Sequence, residues 1–226
     1  MRPTAASPTP SAPSAHPLAG PQGMPVFEGL LIDWGGVLTT SLLGSFKAYC
    51  VRTGIDPELL MERLRGETGA RDLLIALEKG QMDEPTFERR VAAILEVDPE
   101  GLIDGLFSTV EPDLAMIEAV RRAHAAGIRT GLVSNSWGVH RYPHDLLGEI
   151  FDGIVISAEE GIRKPSRKMY ELGAERAGAP ADRCIYVDDL AFNLVPAEKL
   201  GMTTVHHTSA ETTVPELERL LKMSLS

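Results

Sequence analysis

Four short stretches carry side chains suited to chemistry on a phosphoryl group. The apolar run Leu30-Leu31-Ile32 ends in Asp33, with Gly35 and Gly36 close behind. Ser134-Asn135 follows Leu132-Val133, Lys164 stands before Pro165, and Asp188-Asp189 closes the run from Cys184 to Val187. A carboxylate delivered by a short apolar run is a candidate nucleophile, and Asp33 is expected to be it. A hydroxyl and an ammonium such as Ser134 and Lys164 can hold phosphate oxygens. An acidic pair can bind Mg²⁺, which suits one or two carboxylates together with waters and substrate phosphate. Each feature alone has a plainer role: a turn at Asp33 or at Asp188-Asp189, a helix cap at Ser134-Asn135, a solvated loop at Lys164. Their joint placement at the ends of apolar runs is what links them.

The elements that must position these side chains follow from periodicity. Strands are expected at Leu30 to Ile32, Ile128 to Val133, Gly153 to Ile156, Cys184 to Val187 and Thr203 to Val205. An apolar run as short as Leu30 to Ile32, broken off by glycines, reads as a parallel strand buried on both faces. Helices are expected between them, ending near Gly127, Gly178 and Gly201, with a last one from Val214 to Met223. Residues 41–109 break the alternation. Asp56-Pro57, the apolar face Leu73, Leu74 and Leu77, Asp83 with Pro85, and Asp98-Pro99 mark four successive helices with no strand signal between them. The expected fold is α/β: a Rossmann-like, doubly wound parallel sheet formed by 26–40 and 110–226, with 41–109 as an inserted helical cap. In such sheets ligands bind outside the carboxyl ends of the strands, where Asp33, Ser134 and Asp188-Asp189 fall.

Residues 1–25 differ from the rest: seven are proline and only Arg2 carries a full charge. Such a segment buries too little apolar surface to offset its ordering entropy, so a disordered, removable tail is expected ahead of Met24. It lacks the apolar core of a secretory signal. The formal charge of −10 shows no basic stripe, which argues against nucleic acid as a partner. No apolar run reaches the ~20 residues that cross a bilayer, so no membrane partner is expected. Cys50 and Cys184 match no metal-ligand spacing and read as thiols in a reducing, cytoplasmic setting.

Leu31-Ile32-Asp33-Trp34-Gly35-Gly36-Val37-Leu38 resembles the first motif of the haloacid dehalogenase superfamily. Leu132-Val133-Ser134-Asn135 resembles the second, Lys164-Pro165 the third, and Tyr186-Val187-Asp188-Asp189 with Asn193 the fourth. The likeness covers nearly everything after residue 25. It is greatest to the phosphatase-like subgroup with a small helical cap that includes the N-terminal domain of soluble epoxide hydrolase. The resemblance implies a Mg²⁺-dependent phosphatase for a small phosphorylated metabolite. Asp33 would form an aspartyl-phosphate, Ser134, Asn135 and Lys164 would bind substrate, and Asp33, the Gly35 carbonyl, Asp188 and Asp189 would bind the metal.

The family's usual phosphatase motif has a second aspartate two residues after the nucleophile, where this chain has Gly35. Losing such an acid–base costs about 10²–10⁴-fold, which favours good leaving groups such as acyl phosphates or sugar 1-phosphates. It also keeps open a silent, phosphate-binding relative. Dehalogenases lack that aspartate too, but a metal-free halide site has no use for Asp188-Asp189. A phosphonate hydrolase would need a cap lysine, for which only Lys47 and Lys79 are available. Trp34 is expected to pack against the cap, and His140, His144, His206 and His207 are candidates for a base or ligand.

Overall fold

The computed structural model describes residues 27–65 and 69–226; the tail expected to be disordered lies outside the described residues. Five parallel strands form one sheet: β1 (Gly29–Ile32), β2 (Arg129–Ser134), β3 (Gly153–Ile156), β4 (Cys184–Asp188) and β5 (Thr203–His206), in the order β3-β2-β1-β4-β5. The chain builds outward from β1 through β2 to β3, then crosses back to β4. The sheet therefore changes direction between β1 and β4, the place where doubly wound folds open a crevice for ligands.

All four residues of β1 are buried because both faces of the sheet are covered. Side chains alternate across the strand, so Leu30 and Ile32 join one apolar layer while Leu31 joins the other. Leu30 and Ile32 pack with Met116 and Val120 of α6 (Leu114–Ala125) and Leu217 of α11 (Ala210–Leu221). Leu31 packs with Met169 and Tyr170 of α9 (Arg167–Ala177) and Leu194 of α10 (Ala191–Glu198). Asp113 caps α6 by accepting from the Met116 N–H at 3.0 Å, and α9 ends at Gly178 in the left-handed region, as its C-terminal glycine predicts. Two shorter helices, α7 (His144–Ile150) and α8 (Ser157–Glu160), flank β3.

Among the described residues between β1 and α6 run five helices: α1 (Leu42–Thr53), α2 (Pro57–Arg65), α3 (Gly69–Glu78), α4 (Glu84–Leu95) and α5 (Leu102–Phe107). Phe46, Leu60, Leu73, Phe87, Val91 and Leu102 give them an apolar cluster separate from those of the sheet. The two connections to the sheet run side by side, bridged in antiparallel sense at Thr39 and Pro112 and tied by the Thr40 N–H to the Glu111 carbonyl at 2.8 Å.

Sequence periodicity foresaw four helices in this stretch and missed α1. Gly44 lies in its first turn and its buried face mixes Ser45 with Phe46, Tyr49 and Cys50, so the apolar stripe is weak. Its N-cap, Ser41, accepts from the Gly44 N–H at 3.2 Å. Among the described residues no helix is long and apolar enough to cross a membrane, and both cysteines are buried and free.

Candidate active site

Strand register assembles the site. Ile32 pairs with Leu132 on one side and Val187 on the other, so Asp33 emerges level with Val133 and Asp188, with Ser134 one step beyond. The Asp33 N–H continues the ladder to the Val187 carbonyl at 3.0 Å. Asp33, Ser134, Lys164 and Asp188 are all buried.

Lys164 is the centre of the arrangement. Its Nζ lies 2.8 Å from Asp33 Oδ1 and 2.8 Å from Asp188 Oδ2, with only 1% of the residue exposed. Asn135 holds the Lys164 backbone at both ends: its Oδ1 accepts the Lys164 N–H at 2.8 Å and its Nδ2 donates to the Lys164 carbonyl at 3.3 Å. The Asn135 amide, expected on substrate, is thus committed to placing the lysine.

The two members of the acidic pair differ. Asp188 accepts from Lys164, from the Tyr186 hydroxyl at 2.5 Å, from the Leu190 N–H at 2.9 Å, and from Asn193 Nδ2 on both oxygens at 3.0 and 3.2 Å. Burial alone would raise its pKa, but Lys164 and these donors outweigh that and hold it below the usual value. Asp189 Oδ1 is buried with no hydrogen-bond partner. Burial, reinforced by the charge of Asp188, pushes the Asp189 carboxyl up to about 6. Asp33 is pushed up to about 7, chiefly by burial, with Lys164 opposing and Asp188 and Asp189 adding repulsion. In Lys164 itself the two carboxylates overcome burial and raise the pKa, so it stays a cation.

One ammonium cannot neutralise three carboxylates. Oxygens of Asp33, Asp188 and Asp189 lie within 4.8 Å of one another, and Asp189 Oδ1 has no donor. An oxygen-only cluster with a surplus of negative charge fits a hard divalent cation such as Mg²⁺. Asp189 Oδ1 is the oxygen left without a donor; Asp33 Oδ1 accepts from Lys164 and from the Trp34 N–H at 2.8 Å, and Asp188 accepts five hydrogen bonds and positions Lys164.

Ser134 accepts a hydrogen bond from the Tyr142 hydroxyl at 2.9 Å, so the Ser134 proton is free to point elsewhere, including at a phosphoryl oxygen. Tyr142 was not singled out from sequence; it lies on a loop with no periodic signal. Its ring meets that of Trp34 at 5.9 Å. Trp34 packs against the sheet's own apolar cluster, contrary to expectation. The residue that reaches the α1–α5 cluster is Trp137, from the loop after β2, with ring centres 5.3 Å from Phe46 and 5.7 Å from Phe87.

The two glycines after Asp33 serve different ends. Gly36 has φ of +78°, and a Cβ there would fall 2.5 Å from Asp189 Oδ2, so a side chain is excluded on both counts. Gly35 is not left-handed; a Cβ there would meet Leu42 Cδ1 at 2.6 Å. Leu42 of α1 therefore fills the space into which the family's second aspartate would grow.

The other residues weighed from sequence take ordinary partners. His206 Nε2 contacts the Asp189 carbonyl, His207 pairs with Thr213, His144 with the Val139 carbonyl and His140 with Glu84. Lys47 is exposed on α1, and neither it nor Lys79 lines the cavity beside Asp33. Arg163 pairs with the buried Glu78 of α3, joining the helical segment to the lysine loop.

Residues 27–201 match the family model of haloacid dehalogenase-like hydrolases. The chain is 32% identical over 119 residues to the sesquiterpene phosphatase astK of Aspergillus oryzae, covering 50% of this chain and 59% of that protein. It is 26% identical over 112 residues to bifunctional epoxide hydrolase 2 of Rattus norvegicus, covering 46% of this chain and 20% of that one. The matches thus span less than two thirds of either relative. A HAD family enzyme from Bacteroides thetaiotaomicron, solved with magnesium and inorganic phosphate, shares the fold with a TM-score of 0.62 at 19% identity, over 84% of this chain and 98% of that one. With its parallel sheet and its four motifs, the chain belongs to the haloacid dehalogenase-like hydrolase family.

Proposed function

We propose that the protein is a Mg²⁺-dependent phosphatase of a small phosphorylated substrate, working through an aspartyl-phosphate on Asp33. The observation that carries this reading is the buried cluster of three carboxylates around one lysine, with Asp189 Oδ1 left without a donor. The phosphatase named among its relatives supports it. Asp33 attacks phosphorus, the new P–O bond forms as the ester P–O bond breaks, and the leaving oxygen takes its proton from water to depart as the alcohol. Water then attacks the phosphoryl group, regenerating the Asp33 carboxylate and releasing inorganic phosphate. Ser134 and Lys164 hold phosphoryl oxygens as charge builds on them. Bound Mg²⁺ would offset the negative charge of carboxylates and phosphate alike. Helices α1–α5 act as the cap over the site.

Two outcomes test the reading. Asp189→Asn should weaken Mg²⁺ binding by at least about 10-fold, since even residues behind the ligands cost 10–100-fold. Calorimetry showing unaltered affinity would overturn the metal assignment.

The second concerns the missing acid. With Gly35 and Leu42 where a carboxylate would protonate the leaving group, turnover should fall steeply as that group becomes more basic. Gly35→Asp combined with Leu42→Ala should raise alkyl phosphate turnover by up to about 10²–10⁴-fold, the range of a positioned acid–base. Gly35→Asp alone should do less, because Leu42 Cδ1 stands in the way. Phosphate release across a leaving-group series reads both. Mg²⁺-dependent phosphate binding with no turnover of any ester would leave a phosphate-binding protein instead, the reading that Gly35 keeps open.

A further inference from the structure

Both tryptophans of the chain line one cavity of about 620 Å³, within the size range of sites that hold drug-sized ligands. Ser134 and Gly35 belong to its wall, so it is continuous with the phosphate site. Much of the remaining wall is apolar: Trp34, Leu42, Phe107, Val110, Trp137 and Tyr142 all face it.

The cationic groups of that wall, Arg141 and His140, already face carboxylates, while Glu111 adds a further negative charge and Arg141 Nε has no hydrogen-bond partner. Arg141 donates to Glu84 at 2.7 Å and pairs with Asp104 at 2.8 Å, its guanidinium 5.5 Å from the centre of the Phe107 ring. His140 Nδ1 lies 3.2 Å from the same Glu84. The Asn135 amide is held by Lys164. Among the described lining residues, no cation is left to receive a second phosphate or a carboxylate. Sugar hydroxyls pressed against Trp34, Phe107 and Trp137 would lose water without gaining partners from those rings, which is unfavourable, whereas apolar carbon gains by leaving water; the polar groups of Thr39, Asp104 and Glu111 lie elsewhere on the wall.

We propose that the site selects phosphate monoesters of apolar alcohols, aromatic or long-chain, over sugar phosphates and bisphosphates; this rests on the phosphatase reading above. The phosphate sits by Ser134 and Lys164, and the alcohol lies along the aromatic wall made by Trp34, Phe107 and Trp137.

The two tryptophans make the cavity its own reporter. Intrinsic fluorescence of the Mg²⁺-loaded protein can be titrated with butyl, hexyl and octyl phosphate, glycerol phosphate and glucose 6-phosphate, with hydrolysis followed in parallel. The primary alkyl esters share one leaving-group basicity, so the series isolates the wall from the effect of Gly35. Affinity should rise about twofold to fourfold per added methylene, and glucose 6-phosphate should bind more weakly than hexyl phosphate. Val110→Asn, outside any helix, should flatten the chain-length dependence, and Phe107→Ala should do the same from α5.

Equal binding of sugar and alkyl phosphates, affinity independent of chain length, or no binding of any ester overturns the proposal. Hydrolysis that proceeds without chain-length dependence leaves the phosphatase reading standing alone. Chain-dependent fluorescence without hydrolysis defeats the phosphatase reading and leaves the apolar phosphate site.

Discussion

Asp33→Asn is expected to lower kcat/KM for phosphate esters by about 10⁴-fold or more, roughly 5.5 kcal/mol of barrier, while leaving the metal-free protein at least as stable as the parent at pH 8. The two halves of that result have different origins. An amide oxygen in place of the carboxylate cannot form the acyl phosphate, so the covalent route closes. Stability follows from the burial that pushes the Asp33 carboxyl up to about 7. A carboxyl whose folded pKa exceeds its unfolded value contributes stability below the unfolded pKa and loses it as pH rises through the folded one. At pH 8 without metal, ionised Asp33 is therefore a destabilising group, and asparagine removes it. The Tm of the parent should fall between about pH 4 and pH 7 more steeply than that of the variant. Added Mg²⁺ should raise the parent's Tm more than the variant's, since ligand binding to the folded state alone stabilises it. Turnover that survives Asp33→Asn would defeat the aspartyl-phosphate mechanism outright.

Lys164→Met should have the largest effect on stability of any single substitution in the site. Methionine preserves much of the apolar stem but leaves Asp33 and Asp188 buried without their shared cation. Breaking a buried pair by removing one partner costs about 3–5 kcal/mol, on the order of 10 °C in Tm for a chain of this size. The loss should be smaller at pH 5 than at pH 8, because Asp33 is already protonated at the lower pH and needs no counter-ion. Thermal unfolding at the two pH values checks this. An equal loss at both would mean that the lysine serves packing alone. Activity should fall as well, since the same ammonium is assigned to a phosphoryl oxygen.

These contacts explain which features could be read from residue types. The central strands β1 and β4 announced themselves because both faces of the sheet are covered there, making each a short, largely apolar run followed or closed by a carboxylate. Asp33, Ser134 and Asp188 stand at strand ends, and parallel pairing brings them to one edge whatever the loops do. Helix α1 and the four-residue α8 were not legible, the first for its weak stripe and the second for its length. Periodicity says nothing about partners, so the division of labour between Asp188 and Asp189 was equally hidden. Only the fold shows five hydrogen bonds converging on one carboxylate and leaving an oxygen of the other bare.

The sequence by itself determined the α/β order, the ends of the strands and the absence of an acid at Gly35, because these depend on local residue type and spacing. Tertiary structure alone decided that Leu42 fills the vacant position, that Asn135 grips the lysine loop and that Tyr142 orients Ser134. It also sent Trp137, rather than Trp34, into the helical cluster. Each of these is a contact between segments far apart in the chain or on loops without a repeating pattern. Such contacts are set by how the helices pack over the sheet edge, which no local spacing encodes.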